Sequence, residues 1–168
     1  MEDKDTKQLD NTVERMQKIE AILDEYECKL GLPKFNEEYS DSSAYFYLKL
    51  SRDQMEKLTI EQCAEAALTL SSLASHIQRA VNRETSRITW AKNYIKEIVC
   101  KTAHQYAGRW EHQEMQAIMD NDVARKLHDI QKYAQQRVDR LTYVSSGMKS
   151  MGDVYINLQR SKVTLRNG

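Results

Sequence analysis

Residues 60–105 read IEQCAEAALTLSSLASHIQRAVNRETSRITWAKNYIKEIVCKTAHQ, a run without glycine or proline. Its apolar residues recur at alternating spacings of three and four, the heptad pattern of a long helix with one buried stripe. The first row of the stripe is Ile60, Ala67, Ala74, Val81, Ile88, Ile95 and Thr102. The second row is Cys63, Leu70, Ile77, Glu84, Ala91, Ile98 and Gln105. Because one helix cannot bury its own stripe, the chain must fold back on itself or associate with its copies.

A second heptad repeat occupies the last third of the chain. One row consists of Leu127, Ala134, Leu141, Met148 and Tyr155. Its partner row consists of Ile130, Arg137, Val144, Met151 and Leu158. A short connecting helix is predicted at 111–119, so the two long helices are expected to form an antiparallel hairpin. Asp120 or Asn121 can cap the last helix, while Gly147 and Gly152 either weaken it or permit close helix contact or a kink.

Each repeat has one charge at a core position, Glu84 in the first and Arg137 in the second. A buried charge without a partner is costly. Both residues lie at similar distances from the expected turn at Gly108, so an antiparallel hairpin can bring them together. The alternative is that the seam is open at this level and both side chains face water.

A further amphipathic helix is predicted at residues 8–30, with Gly31 and Pro33 ending it. Its apolar stripe is Leu9, Val13, Met16, Ile19, Leu23, Tyr26 and Leu30. Residues 31–50 are expected to be irregular, and the apolar run YFYL at 45–48 indicates either a docking segment or an edge strand.

Two capping-box spacings follow, Ser51 with Gln54 and Thr59 with Gln62. They predict a short helix at 52–57 and the start of the long helix. One Pro and five Gly argue against a loop-rich or all-β protein. The expected fold is all-α: a long antiparallel, coiled-coil-like helical hairpin with an additional N-terminal helix.

Charge divides the chain into two regions. Residues 1–65 carry 9 Lys/Arg and 16 Asp/Glu, whereas residues 66–168 carry 16 and 9. Either the basic region meets a polyanion or the two regions neutralise each other. The expected domains are an acidic N-terminal helix and linker at 1–50 and a helical-hairpin domain at 51–168.

Basic and aromatic residues alternate in the second half of the long helix. Cations neutralise phosphates and aromatic rings stack on unpaired bases, so this pattern indicates single-stranded nucleic-acid binding. The alternative is an ordinary solvated helix face, and Trp90 could instead pack at the hairpin interface. The candidate contacts are Arg79, Arg83, Arg87, Trp90, Lys92, Tyr94, Lys96 and Lys101.

No catalytic site, metal site or cofactor site is predicted. The four histidines lack partners at ligand or triad spacing, and the chain contains no HExxH, GxSxG, CxxC or phosphate-binding glycine loop. The three cysteines are far apart, which suggests a reducing compartment. The polar N-terminus and the lack of a long apolar run predict no membrane association and a cytoplasmic location, in the host cell for a viral protein.

Three stretches carry a resemblance to a known family: QYAG at 105–108, EMQAIMDNDV at 114–123 and SGMKSMGDVYINLQR at 146–160. In these stretches the chain resembles the UvsY-type recombination mediators of tailed bacteriophages. The resemblance covers about residues 60–160, and the N-terminal 58 residues look like an extension. Where the family has Lys and Arg two apart before the Tyr-Gly turn, this chain has Cys100 and Thr102 with Lys101 between them.

The resemblance implies a helical protein that assembles into a ring-shaped homo-oligomer and binds single-stranded DNA. It further implies a mediator that helps a RecA-like recombinase replace the single-strand-binding protein. The alternative is a non-enzymatic coiled-coil scaffold or regulatory protein-binding module. A third possibility is that the acidic N-terminal arm mimics DNA and occupies the basic track.

Overall fold

The computed structural model describes residues 2–32 and 43–167, and in these ranges the chain forms helices and no strand. Side chains are described for residues 14, 17–32 and 44–166. The α-helices in these ranges are α1 Glu2–Lys29, α2 Ser43–Lys49, α3 Arg52–Lys57, α4 Ile60–Thr102, α5 Trp110–Asp120 and α6 Asp122–Asn167. A 3-10 turn at Ala103–Gln105 follows α4. The all-α class predicted from the sequence is confirmed.

Helices α4 and α6 pack against each other as the predicted antiparallel hairpin, and α5 connects them. The direction follows from two contacts, because Ser145 lies opposite Ala74 and Arg137 lies opposite Glu84. On α4 the predicted stripe is confirmed: both rows are buried without interruption from Cys63 to Ile95. This seam forms the core of the molecule.

On α6 only one of the two predicted rows is buried throughout, the row from Leu127 to Tyr155. In the other row, Ile130 is 43% exposed and the remaining members are partly buried. The other buried residues of α6 are small ones, Ala124, Ser145 and Gly152. The second predicted row therefore lies on the flank of the seam.

Small residues occupy these seam positions because they let α4 and α6 approach closely. The Ser145 hydroxyl donates a hydrogen bond to the Ala74 carbonyl oxygen at 3.1 Å. A Cβ atom added at Gly152 would lie only 3.0 Å from Ser71 Oγ. Of the roles left open for Gly152, close helix contact is therefore confirmed.

Helix α1 begins at residue 2 instead of residue 8; its last residue is Lys29, and the predicted stop at Gly31 follows. Gly31 has a φ of +83°, a conformation that glycine adopts without steric cost. The Leu32 amide then donates to the Glu27 carbonyl oxygen at 3.1 Å, a bond that closes the helix end. Pro33 lies outside the described residues.

The last third of α1 docks on the middle of the hairpin. Leu23 and Leu32 are buried, and Leu30 packs against a cluster formed by both long helices. Tyr26 contacts Glu84, whereas Leu30 lies near Ala80, so α1 runs antiparallel to α4. Residues upstream of Tyr26 are therefore directed towards the turn of the hairpin.

The apolar run at 45–48 belongs to α2, and its Tyr45 and Tyr47 are buried against the hairpin. The docking interpretation is confirmed, while the edge strand and the irregular structure expected for this part are wrong. Residues 33–42 lie outside the described residues. The Tyr155 hydroxyl donates to the Tyr47 carbonyl oxygen at 2.6 Å, and burial raises the pKa of Tyr155.

Local capping signals are confirmed at the helix starts. The Ser51–Gln54 box starts α3, and the Thr59–Gln62 box starts α4. The Asn121 side chain accepts two backbone N–H groups at the start of α6, each at 3.0 Å. None of the helices in the described ranges is both long enough and apolar enough to cross a bilayer.

Candidate nucleic-acid interface

All eight side chains predicted to contact nucleic acid are exposed on α4. Trp90 is 56% exposed and Tyr94 is 45% exposed. The alternative in which Trp90 packs at the hairpin interface is therefore wrong. The exposed set is Arg79, Arg83, Arg87, Trp90, Lys92, Tyr94, Lys96 and Lys101.

Trp90 and Tyr94 form a stacked pair. Their ring centroids are 6.0 Å apart and their planes differ by 29°. The spacing of four residues places the two rings one above the other on the same side of the helix. The pair presents an extended aromatic surface to solvent, which is the kind of surface on which unpaired bases stack.

The eight side chains divide between two sides of α4. Each residue rotates by about 100° around the helix axis, so Trp90 and Lys92 point in nearly opposite directions. Lys96 lies on the same side as Lys92, one turn further along. The side that carries the aromatic pair also carries Arg79, Arg83, Arg87 and Lys101, and we call these six residues the aromatic–basic side.

A buried carboxylate lies at the start of this side. Glu84 is fully buried, and its Oε1 accepts hydrogen bonds from Arg87 at 2.7 Å and from the Tyr26 hydroxyl at 3.1 Å. Its Oε2 accepts from Arg137 at 3.3 Å across the seam. The predicted pairing of Glu84 with Arg137 is confirmed, and the open-seam alternative is wrong.

Arginine outnumbers carboxylate around Glu84. Arg83 lies 3.9 Å from Glu84 and donates to the Tyr26 hydroxyl at 3.2 Å, a bond that raises the pKa of Arg83. The Arg137 guanidinium also lies 4.7 Å from the centroid of the Tyr26 ring. One negative charge is thus shared by three guanidinium groups, and the surface around them keeps an excess of positive charge.

Two acidic residues at the end of α1 pair with α6 instead of α4. Arg140 lies 2.7 Å from Asp24 and 2.6 Å from Glu27. Burial raises the pKa of Glu27, and the opposing effect of Arg140 is smaller. These contacts hold α1 on the hairpin and leave most cations of the aromatic–basic side uncovered.

Four of the candidate cations, Arg79, Lys92, Lys96 and Lys101, form no ion pair with any residue in the described ranges. Lys96 and Lys101 line a shallow depression on α4 together with Asn93, Glu97 and Cys100. Unpaired cations keep their full charge for a ligand. In the same part of the chain, no three His, Cys, Asp or Glu side chains are grouped so that they could hold a metal ion.

Sequence reasoning did not identify Tyr26 as a member of this site. Its hydroxyl bridges Arg83 and Glu84, but the sequence marks Tyr26 only as one apolar position of α1.

Comparison of the chain with family models, with curated proteins and with solved structures found no match. The resemblance to the UvsY-type mediators therefore rests on the three short stretches alone.

Proposed function

We propose that this chain binds single-stranded DNA along α4 and acts as a recombination mediator. In this role it helps to load a RecA-like recombinase onto DNA that is covered by single-strand-binding protein. The observation that carries the DNA-binding part is the exposed Trp90–Tyr94 stack on α4 between Arg79 and Lys101, two cations that form no ion pair with any residue in the described ranges. The mediator part comes from the family resemblance.

The dimensions of the aromatic–basic side suit a flexible strand. From Arg79 to Lys101 the helix rises by ~33 Å at about 1.5 Å per residue. Cations at both ends can neutralise phosphates while the aromatic pair in the middle stacks on bases. Bases in a duplex are already stacked and paired, so the aromatic pair favours a single strand.

One protomer offers only a short track, and a ring-shaped homo-oligomer would repeat it. When several tracks contact one strand, each further contact is intramolecular, and the overall affinity rises without new kinds of contact. Self-association therefore belongs to this proposal, together with contacts to a recombinase and to a single-strand-binding protein.

The test uses two cations that the protein does not need for its own structure. Arg79→Glu/Lys101→Glu reverses two exposed charges without touching Glu84, and Lys149→Glu on α6 is the matched control. Fluorescence anisotropy with a labelled oligonucleotide measures affinity at several salt concentrations. Each lost phosphate contact is expected to lower the salt slope by about 0.7.

The double variant is expected to bind with a slope lower by about 1.4, and Lys149→Glu to bind like the wild type. If the wild type fails to bind single-stranded oligonucleotide at low salt, the proposal is wrong. Equal affinity for the double variant and the wild type would contradict the assignment of this surface.

One observation favours the alternative of a scaffold or regulatory protein-binding module. Helix α5 exposes an apolar face away from the hairpin, with Met115 46% exposed and Met119 51% exposed. Exposed apolar faces of this kind bind partner proteins. A scaffold would not bind the oligonucleotide at any salt concentration, so the same titration distinguishes a scaffold from a DNA-binding protein.

A further inference from the structure

Two arginines on the aromatic–basic side differ from the other cations there because the protein itself holds them in place. Arg83 donates a hydrogen bond to the Tyr26 hydroxyl at 3.2 Å, and its Nε lies 3.9 Å from Glu84 Oε1. Arg87 donates to the same carboxylate oxygen at 2.7 Å. By contrast, Arg79 lies on the same side of α4 but forms no ion pair with any residue in the described ranges.

The two groups that hold these arginines are themselves fixed. Glu84 is fully buried in the seam, and its second oxygen accepts from Arg137 at 3.3 Å. The Tyr26 hydroxyl donates to Glu84 Oε1 at 3.1 Å, and the Arg137 guanidinium lies 4.7 Å from the centroid of the Tyr26 ring. Tyr26 also packs against the apolar cluster that joins α1 to the hairpin. The docked end of α1 therefore helps to hold two cations of α4.

Both anchored guanidinium groups keep the capacity to bind a ligand. Arginine has five N–H donors, and each of these two arginines uses one of them in a hydrogen bond to a described residue. The Arg83 side chain is 58% exposed and the Arg87 side chain is 48% exposed. Because three guanidinium groups share the one carboxylate of Glu84, this part of the surface keeps an excess of positive charge.

The spacing of the two arginines suits a single phosphate group. Residues four apart on a helix are neighbours, with Cβ atoms about 5–6 Å apart. Two neighbouring guanidinium groups can donate to different oxygens of one phosphate, a geometry for which arginine is better suited than lysine. Trp90 follows Arg87 by three residues, so a phosphate held here lies beside the aromatic pair on which a base can stack.

We propose that Tyr26 and Glu84 position Arg83 and Arg87 as a clamp for one phosphate of the bound strand. A freely moving arginine loses side-chain entropy when it binds, whereas an anchored arginine has lost that entropy during folding. The docked end of α1 thus completes the DNA site instead of competing with DNA for it. This inference rests on the proposed DNA binding and adds two positioning residues that need not touch DNA themselves.

The test separates positioning from contact through the salt dependence of binding to a labelled single-stranded oligonucleotide. Arg83→Gln removes a phosphate contact, so its salt slope is expected to fall by about 0.7. Tyr26→Phe keeps the ring and removes only the hydroxyl, so the phosphate contacts remain but Arg83 is no longer held. Its affinity is expected to fall by about threefold to tenfold with an unchanged salt slope. Tyr143→Phe is the matched control, because Tyr143 is 82% exposed on α6, and it is expected to bind like the wild type.

A double variant shows whether Tyr26 acts through Arg83. Tyr26→Phe/Arg83→Gln is expected to bind as Arg83→Gln alone does, because no arginine remains for the hydroxyl to hold. Additive losses in the double variant, or a Tyr26→Phe protein that binds as tightly as the wild type, would overturn the proposal. Tighter binding by Tyr26→Phe would also overturn it, and would show that α1 competes with DNA.

A second test leaves the docking of α1 untouched, and thermal unfolding checks that every variant is folded. Arg83→Lys keeps the charge but loses the planar group that the clamp uses, so affinity is expected to fall by about threefold to tenfold with little change in salt slope. Arg79→Lys alters an arginine without such anchors, and its expected loss is smaller, about twofold. Equal losses at both positions would contradict the clamp and leave DNA binding standing, whereas a wild type that does not bind removes both proposals.

Discussion

The two halves of α4 carry different residues at the same heptad position. In the first half this position holds Ala66, Leu73 and Ala80, and in the second half it holds Arg87, Tyr94 and Lys101. The first three are buried or partly buried beneath α1 and α2, and the last three are exposed. One helix thus supplies packing in its first half and a charged aromatic surface in its second half. The change in residue type coincides with the change from covered to exposed positions on α4.

The boundary between the halves gives the largest expected effect. Glu84→Ala removes the carboxylate shared by Arg87, Arg137 and Tyr26, and leaves Arg137 partly buried without its partner. The free energy of unfolding is expected to fall by about 3 kcal/mol, as for other broken buried pairs. Urea denaturation followed by circular dichroism measures this loss.

The matched control for this prediction is Glu84→Leu/Arg137→Leu, which replaces both charges by apolar groups. It is expected to recover most of the lost stability because no buried charge is left unpaired. A single variant as stable as the wild type would mean that the boundary contributes nothing to packing.

A smaller effect is expected in the exposed half. Trp90→Ala and Tyr94→Ala each remove one face of the stacked pair, and the affinity for single-stranded DNA is expected to fall by about 1–3 kcal/mol. The free energy of unfolding should change by less than ~0.5 kcal/mol, since both side chains are exposed.

Trp110→Ala is the control for this second prediction, because Trp110 is equally exposed but lies on α5. Anisotropy titrations give the affinities, and thermal unfolding gives the stabilities. Equal loss of DNA affinity in the Trp110 variant would remove the distinction between the stacked pair and any other exposed ring.

The smallest effect concerns pH dependence in the covered half. Burial raises the pKa of Glu27 despite Arg140. A carboxyl group whose pKa is higher in the folded state contributes stability at low pH that is lost as pH rises through the folded pKa. Glu27→Gln is therefore expected to become more stable relative to the wild type as pH rises from about 4 to 7, by less than ~1 kcal/mol.

Thermal unfolding at several pH values measures this difference. Glu25→Gln serves as a control of opposite sign, because the Lys29 hydrogen bond lowers the pKa of Glu25. A Glu27 variant whose stability follows the wild type in parallel across this range would contradict the prediction.

Most of the fold could be predicted because its signals are local. The heptad rows locate α4 and α6, and the capping boxes at Ser51 and Thr59 give helix starts to within a residue. Which of the two α6 rows is buried in the seam could not be predicted in this way. Apolar character ranks Val144 above its neighbour Ser145, but the packing distance between the two helices favours the smaller side chain.

The candidate interface shows the same limit. Arg79 and Arg83 lie outside the heptad stripe, so their exposure can be predicted from the sequence alone. The contact of Tyr26 with Arg83 joins residues 57 positions apart, and no local pattern encodes it. The single residues Glu84 and Arg137 were informative because a charge at a core position requires a partner.

The close approach at Gly152 and Ser145 separates the spacing of the hairpin from the chemistry of its sides. The small residues in the seam set the distance between the axes of α4 and α6. Residues outside the seam can therefore differ in size or charge without moving the helices. Two proteins with this backbone could therefore bind quite different molecules while their long helices stayed superimposable.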